Sequence, residues 1–271
     1  MPFEPRIRLP HTDLRVGRIG LGSSFGIGAD DLALAYEHGI NYFYWGSIRR
    51  PAFGQGIRDL ARRHRDDMVV AVQSYARGSG LVLRASVEVA LRRLGLDYAD
   101  VLVLGWYNHR PARAITDAAQ ALRERGRVRY LMMSGHHRPF FAEMARDNVF
   151  DLFMVRYNAA HRGAEHDVFP KLPSDQRHPS ICAYTATRWG TLVEPKRTPA
   201  GERTPTAGDC YRFCITNPEV DLVLCGPATT AHVREACRAL DAGPMSDDEL
   251  AWMRRVGDRV YGRSPIRSLT D

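Results

Sequence analysis

The sequence predicts an α/β fold, a (β/α)8 TIM barrel with an N-terminal β-hairpin and an extra C-terminal helix. Three observations carry this expectation. Eight short β-rich segments recur along the chain, helical patterns separate them, and several of the strands are near-continuous apolar runs, as at 101–104 and 222–225. Runs of that kind mark strands buried on both faces of a parallel sheet. Strands alternating with helices eight times describe a closed barrel, with an open, doubly wound sheet as the alternative.

The strands are expected at 18–21, 41–45, 68–73, 100–106, 129–134, 152–158, 180–185 and 221–226. Among the helices, 81–94 lines up Leu83, Val87, Ala90, Leu91 and Leu94 on one stripe, with Arg84, Glu88, Arg92 and Arg93 largely opposite. The helix over 112–125 stops at Gly126, a natural residue for a left-handed cap. The helix over 230–240 follows Thr229, whose hydroxyl is available to cap it. Three segments stand outside the repeat. The stretch 6–16 reads as a hairpin ahead of the first barrel strand, and 246–260 as a further helix opened by Ser246 and Glu249 at capping-box spacing. The stretch 191–208, rich in Thr, Pro and Gly, reads as a long loop after strand seven, of the length typical of a lid, a binding loop or a disordered segment. The whole of 1–271 reads as one barrel domain.

With 271 residues, 44% hydrophobic and 25% charged, the chain is long enough for a sizeable core and ordinary in balance. No apolar run approaches the roughly 18 residues that span a bilayer. Nor do residues 1–6 open an apolar stretch of the secretory kind. A cytoplasmic protein with no membrane partner is expected. The formal net charge of +7 invites a nucleic-acid reading, but its make-up argues against one. Lys occurs twice, at Lys171 and Lys196, so Arg supplies 36 of the 38 cationic side chains. They are scattered among acids with no block of like charge. The partner expected is a small molecule. An odd number of cysteines, five, points to reduced thiols, and no second pair matches Cys210 and Cys214 as metal ligands would require. Buried apolar thiols are expected and no metal site.

Several motifs, in order along nearly the whole chain, resemble the aldo-keto reductases. The first is Arg8, Pro10, Thr12, Leu14 and Val16, followed by Ile19 and the Gly20-Leu21-Gly22 triplet. Then come the run from Gly39 to Phe43, the Leu91, Leu94, Gly95, Tyr98 and Asp100 pattern, Gly126 to Leu131, Ser134 with His136, Tyr157 with Asn158, and Gly226. The resemblance implies a barrel holding NADP(H) across the C-terminal ends of its strands, and a tetrad of Asp, Tyr, Lys and His. At the four corresponding positions this sequence has Tyr44, Phe53, Gln73 and Gly105. Phe53 has no proton to give, Gln73 no charge and Gly105 no side chain, so the usual proton relay is absent.

For the cofactor the resemblance implies Ser134, Asn158, Tyr184, Gly226, Thr229 and Thr230, with Arg234 as a substitute for a missing reader of the 2′-phosphate. Tyr184 falls where the family stacks an aromatic ring on the nicotinamide. Gly135 replaces the usual Asn and Met154 a common Gln.

Side chains at the strand ends converge on the barrel mouth. Tyr44 and His136 are the candidate proton donor and acid or base. Trp45, Gln73, Trp106, Tyr107 and Arg188 are candidates for substrate binding, the last as a forked clamp for an anion. Each has a plainer alternative: Tyr44 as a core aromatic, His136 in a solvated loop, Arg188 on the surface. Three functions remain open: an NADP(H)-dependent reductase of a small carbonyl with a rebuilt proton donor; an isomerase, lyase or cyclase using Tyr and His as acid and base; and a ligand-binding protein without turnover.

Overall fold

The computed structural model describes residues 1–174 and 178–262. The chain opens with a two-stranded hairpin, β1 (Ile7–Arg8) and β2 (Arg15–Val16). Eight parallel strands follow and close into a barrel. They are β3 (Ile19–Gly22), β4 (Tyr42–Trp45), β5 (Val69–Ser74), β6 (Ala99–Leu104), β7 (Val128–Ser134), β8 (Leu152–Arg156), β9 (Ser180–Tyr184) and β10 (Leu222–Cys225). Closure runs through β10 and β3, with Val223 opposite Ile19 and Cys225 opposite Leu21. The helices wrap the outside: α1 (Ala29–Glu37), α2 (Pro51–His64), α3 (Gly80–Leu94), α4 (Arg113–Glu124), α5 (Pro139–Arg146), α6 (Ala164–Asp167), α7 (Ala207–Thr216), α8 (Thr230–Ala242) and α9 (Asp247–Gly262). The (β/α)8 barrel, hairpin and C-terminal helix are those the sequence predicts.

Two cores follow from the period-two alternation of each strand. Outward residues such as Phe43, Leu102, Met133 and Phe153 pack against the helices. Inward residues, among them Val69, Val101, Met132, Leu152 and Leu222, fill the barrel. Leu9, Leu14 and Val16 of the hairpin join the inner set and stopper its N-terminal end. Polar ties hold the stopper in register. The Asn41 amide donates to the carbonyls of Arg15 (2.9 Å) and Asp67 (2.7 Å) and accepts from Gly17 N–H (3.0 Å). Near the N-terminal ends of alternate strands, a carboxylate accepts a backbone N–H from the neighbouring strand: Asp100 from Val70 (2.8 Å), Asp151 from Leu131 (2.8 Å) and Asp221 from Ile181 (2.7 Å).

The helix ends are made as the sequence indicates. Thr229 accepts from His232 N–H, Ser246 and Glu249 exchange bonds reciprocally, and Gly95 and Gly126 take positive φ beyond α3 and α4. The stretch expected as a long loop at 191–208 carries more local structure than its composition suggests. It contains two 3-10 turns, Thr191–Val193 and Pro195–Arg197, and α7 already starts at Ala207. Side chains bind it to α9. The Trp252 indole donates to the Arg203 carbonyl (3.2 Å), the Arg203 guanidinium lies 3.6 Å from the Trp252 ring centre, and Arg255 pairs with Glu202. All five cysteines are buried free thiols. Among the described residues no helix is long and apolar enough to cross a membrane.

One inward group is unsatisfied. The hydroxyl of Tyr42, fully buried inside the barrel, has no hydrogen-bond partner among the described residues. A buried hydroxyl in that state costs about 1–3 kcal/mol. Tyr42→Phe keeps the ring and removes the penalty. The variant is expected to gain on the order of 1 kcal/mol in urea unfolding, with an unchanged m-value; a loss of stability would show that the hydroxyl is bonded in solution.

Candidate active site

Parity along the strands decides which side chains reach the C-terminal mouth. The last inward positions carry Tyr44 on β4, Gln73 on β5, Ser134 on β7, Arg156 on β8 and Tyr184 on β9; Gly105, just past β6, continues the inward row of Val101 and Val103. Around one side of the mouth, aromatic rings touch in sequence. Tyr75 meets Trp106 edge-on at 5.6 Å between centroids, Trp106 lies 6.4 Å from His136, and His136 lies 6.3 Å from Tyr184. At the far end of this wall the Tyr184 hydroxyl and Nδ1 of His136 are hydrogen-bonded at 3.0 Å. The pair joins the β7 and β9 ends across 48 positions of sequence.

Local backbone geometry aims the wall. Trp106 sits at φ 61°, a left-handed conformation that costs a bulky residue roughly 1–2 kcal/mol. Its N–H donates to Ser134 Oγ (3.1 Å), and the N–H of Tyr107 to the Ser134 carbonyl (2.7 Å). These bonds hold the turn and leave the indole 56% exposed over the mouth. The loop carrying His136 is pinned likewise: Asn108 Oδ1 accepts the N–H groups of His136 (2.6 Å) and His137 (3.0 Å).

Burial and Arg156 set the electrostatics. Burial first, then the neighbouring guanidinium of Arg156, lower the His136 pKa below the usual 6.5, so the imidazole is neutral at pH 7. Burial pushes the Tyr184 hydroxyl up to about 12, against a small opposing pull from Arg156. Tyr44 is pushed well above the usual tyrosine value by burial first and then by the neighbouring Tyr75. It is a reluctant source of charge. Arg156, buried at the strand end, is the mouth residue that sequence reasoning missed. Its inward parity was readable, but among 36 arginines it carried no other mark.

Several expected site residues lie elsewhere. Trp45 is one position out of phase with Tyr44. It points to the helix layer, 3% exposed, and its indole donates to the Arg50 carbonyl (3.0 Å). Phe53 lies within α2 and packs edge-on against Phe43 at 6.5 Å, so it occupies the outer core and not the mouth. Tyr107 is buried, its hydroxyl committed to the carbonyl of Ala76 (2.9 Å). Arg188 is neither a surface residue nor an open clamp: it is 8% exposed and Nη1 donates to the Val260 carbonyl (3.2 Å) near the end of α9. Asn158 is fully buried and staples its loop, donating to Thr185 O (2.9 Å) and accepting from Ala160 and His161.

At the opposite rim, Gly226 ends β10 and Thr229 caps α8. A β-carbon at Gly226 would come within 2.6 Å of the exposed Phe25 ring, which lies against the backbone there. The N–H groups of Thr230 and Ala231 have no protein acceptor among the described residues and point out of the helix end. Arg234, one turn on, is exposed. The Thr230 hydroxyl donates to Asp31 (2.6 Å). Free N–H donors at a helix start with a nearby guanidinium are a donor set for a phosphate.

No model of a known protein family matches the chain. A curated relative, the L-galactose dehydrogenase of Arabidopsis thaliana, is 25% identical over 97% of this chain and 95% of its own length. Solved structures of similar shape include an aldo-keto reductase from Bacillus halodurans in its holo form, with a TM-score of 0.78, 19% identity, and 94% of this chain and 96% of that chain covered. Another is an aldo/keto reductase from Klebsiella pneumoniae in complex with NADP and acetate, with a TM-score of 0.75, 22% identity and the same coverage. The chain therefore has the aldo-keto reductase barrel along nearly its whole length.

Proposed function

We propose that the protein is an aldo-keto-reductase-like oxidoreductase that interconverts a small carbonyl compound and its alcohol with NADP(H), using the His136–Tyr184 pair as its proton relay. The observation that carries this reading is the 3.0 Å bond between the two side chains at the barrel mouth. The dehydrogenase activity in the name of the plant relative and the NADP in the Klebsiella structure point the same way.

The residues present fit a dinucleotide. Thr230 and Ala231 N–H with Arg234 suit its phosphates, and Tyr184 offers a ring face for the nicotinamide. Ser134 keeps its own hydroxyl proton to donate, since the bond from Trp106 uses only its oxygen. When bound, the cofactor supplies or accepts the hydride. The chain's part is the proton. In one tautomer Tyr184 donates to Nδ1, leaving Nε2–H as a donor and the phenol oxygen as an acceptor. In the other, Nδ1–H donates to the phenol, leaving a bare Nε2 and a free O–H. Either way the pair presents one donor and one acceptor. A proton given to a developing alkoxide at one end is replaced from solvent water at the other. In the reverse direction the neutral imidazole is a base for the alcohol.

Two outcomes are expected. His136→Gln should lower kcat in NADPH-linked aldehyde reduction by about 100-fold, the usual scale of general acid–base catalysis, while calorimetry finds the same NADPH affinity. The alcohol-oxidation rate should hold from pH 8 down to 7 and fall once His136 is protonated, below the ordinary histidine value, since its pKa is lowered. An unchanged kcat in His136→Gln would remove the pair from the mechanism. Failure of millimolar NADPH to bind would remove the oxidoreductase reading itself.

A further inference from the structure

The polar groups at the mouth are almost all committed within the protein. Ser134 Oγ accepts from Trp106, the Tyr184 hydroxyl pairs with His136, and the Asn158 amide with three backbone groups. Gln73 is the contrast. Half-buried on β5, its amide has no hydrogen-bond partner among the described residues. It lies directly over Gly105, where an added β-carbon would collide with Nε2 and come within 3.0 Å of the Tyr75 ring. A primary amide at the mouth whose donors and acceptor no protein group uses is available to a ligand there.

We propose that Gln73 is the specificity-determining residue of this mouth and that it selects substrates carrying a hydroxyl next to the reacting carbonyl carbon. An amide offers N–H and C=O side by side. An α-hydroxycarbonyl offers the matching acceptor and donor on adjacent carbons, so the two groups close a reciprocal pair of hydrogen bonds. Nε2–H donates to the carbonyl oxygen and Oε1 accepts from the hydroxyl. A lysine at 73 would supply donors only, and a side chain at 105 would displace the amide. Glycine at 105 and glutamine at 73 thus form one device. The rings of Tyr75 and Trp106, edge-on at 5.6 Å, stand beside the pair at the exposed rim of the mouth.

The inference rests on the oxidoreductase reading for its turnover test alone. Glycolaldehyde and propionaldehyde differ only in a hydroxyl against a methyl. With NADPH, the full chain is expected to prefer glycolaldehyde by at least about tenfold in kcat/KM, the scale of one hydrogen bond. Gln73→Leu should bring the ratio to about one, and so should Gly105→Ala, which keeps the amide but moves it. Both variants should keep the wild-type NADPH affinity and melting behaviour. A wild type without the preference, or a preference that survives Gln73→Leu, overturns the proposal. If NADPH turns over neither aldehyde, it is the oxidoreductase reading that fails. Gln73 is then judged on the tryptophan emission lost in Trp106→Phe. Saturable quenching by glycolaldehyde and not by propionaldehyde, abolished in Gln73→Leu, supports the role; equal quenching by the two, or none, overturns it.

Discussion

Closure of the barrel between β10 and β3 is the constraint on which the rest of the molecule depends. Once Val223 pairs with Ile19 the sheet has no edge, and every strand position is assigned to the inside or the outside with no freedom to slip. The interior volume is then fixed, so a large inward side chain requires a small one beside it. Tyr42 points inward from β4, and a β-carbon at Gly20 on β3 would fall 2.8 Å from its ring. Gln73 and Gly105 repeat the arrangement one layer nearer the mouth. The Gly20-Leu21-Gly22 triplet is in this sense a packing answer to the tyrosines opposite it, with Tyr42 and Tyr44 in register with Gly20 and Gly22.

The same volume argument couples Gln73 to Gly105, where an added β-carbon would meet the amide nitrogen. Gly105 without Gln73 would leave a hole in the floor of the mouth, and Gln73 with a histidine at 105 would be a collision. The two residues are matched in size, so a bulky side chain at 105 requires the amide at 73 to move. Phe53 belongs to a separate matter. It packs against Phe43 in the layer between β4 and α2, so its lack of a hydroxyl has no bearing on proton transfer.

Much of the fold was legible because it is written in local periodicity. The eight strands, the stripe along α3, the Thr229 cap and the Ser246 capping box are all patterns within a dozen residues. What failed was phase and partner. Trp45 and Tyr44 are adjacent letters on opposite faces of one strand, and a list of strand-end residues does not separate them. Tyr107 and Arg188 follow their strands by a few positions, where turns at positive φ redirect the chain: Trp106 at 61°, Thr185 at 57°, Arg188 at 50°. No period predicts those. The bond between His136 and Tyr184 joins residues on non-adjacent strands, and only the closed ring brings them together. The anchoring of 191–208 was hidden for a similar reason. Its composition is that of a loop, and the Trp252 and Arg255 contacts that hold it come from a helix some fifty residues on.

A mouth without lysine also constrains which group can move a proton near neutral pH. A tyrosine becomes a ready acid when a cation lies close to its oxygen, and here burial outweighs that help: Tyr184 is pushed up to about 12 in spite of Arg156, and Tyr44 is raised by burial and by the neighbouring Tyr75. Neither phenol can cycle its proton alone near pH 7. The imidazole of His136 can, because the two effects that harm a phenol act on it differently. Burial and the Arg156 charge both favour its neutral form, which is the form able to accept a proton from one side while its partner hydroxyl is engaged on the other. In the proposed relay a proton leaves one end of the coupled pair as solvent water supplies one at the other, so neither side chain is left charged. With an amide at 73 and a glycine at 105, the proposed proton transfer rests on the one hydrogen bond between His136 and Tyr184.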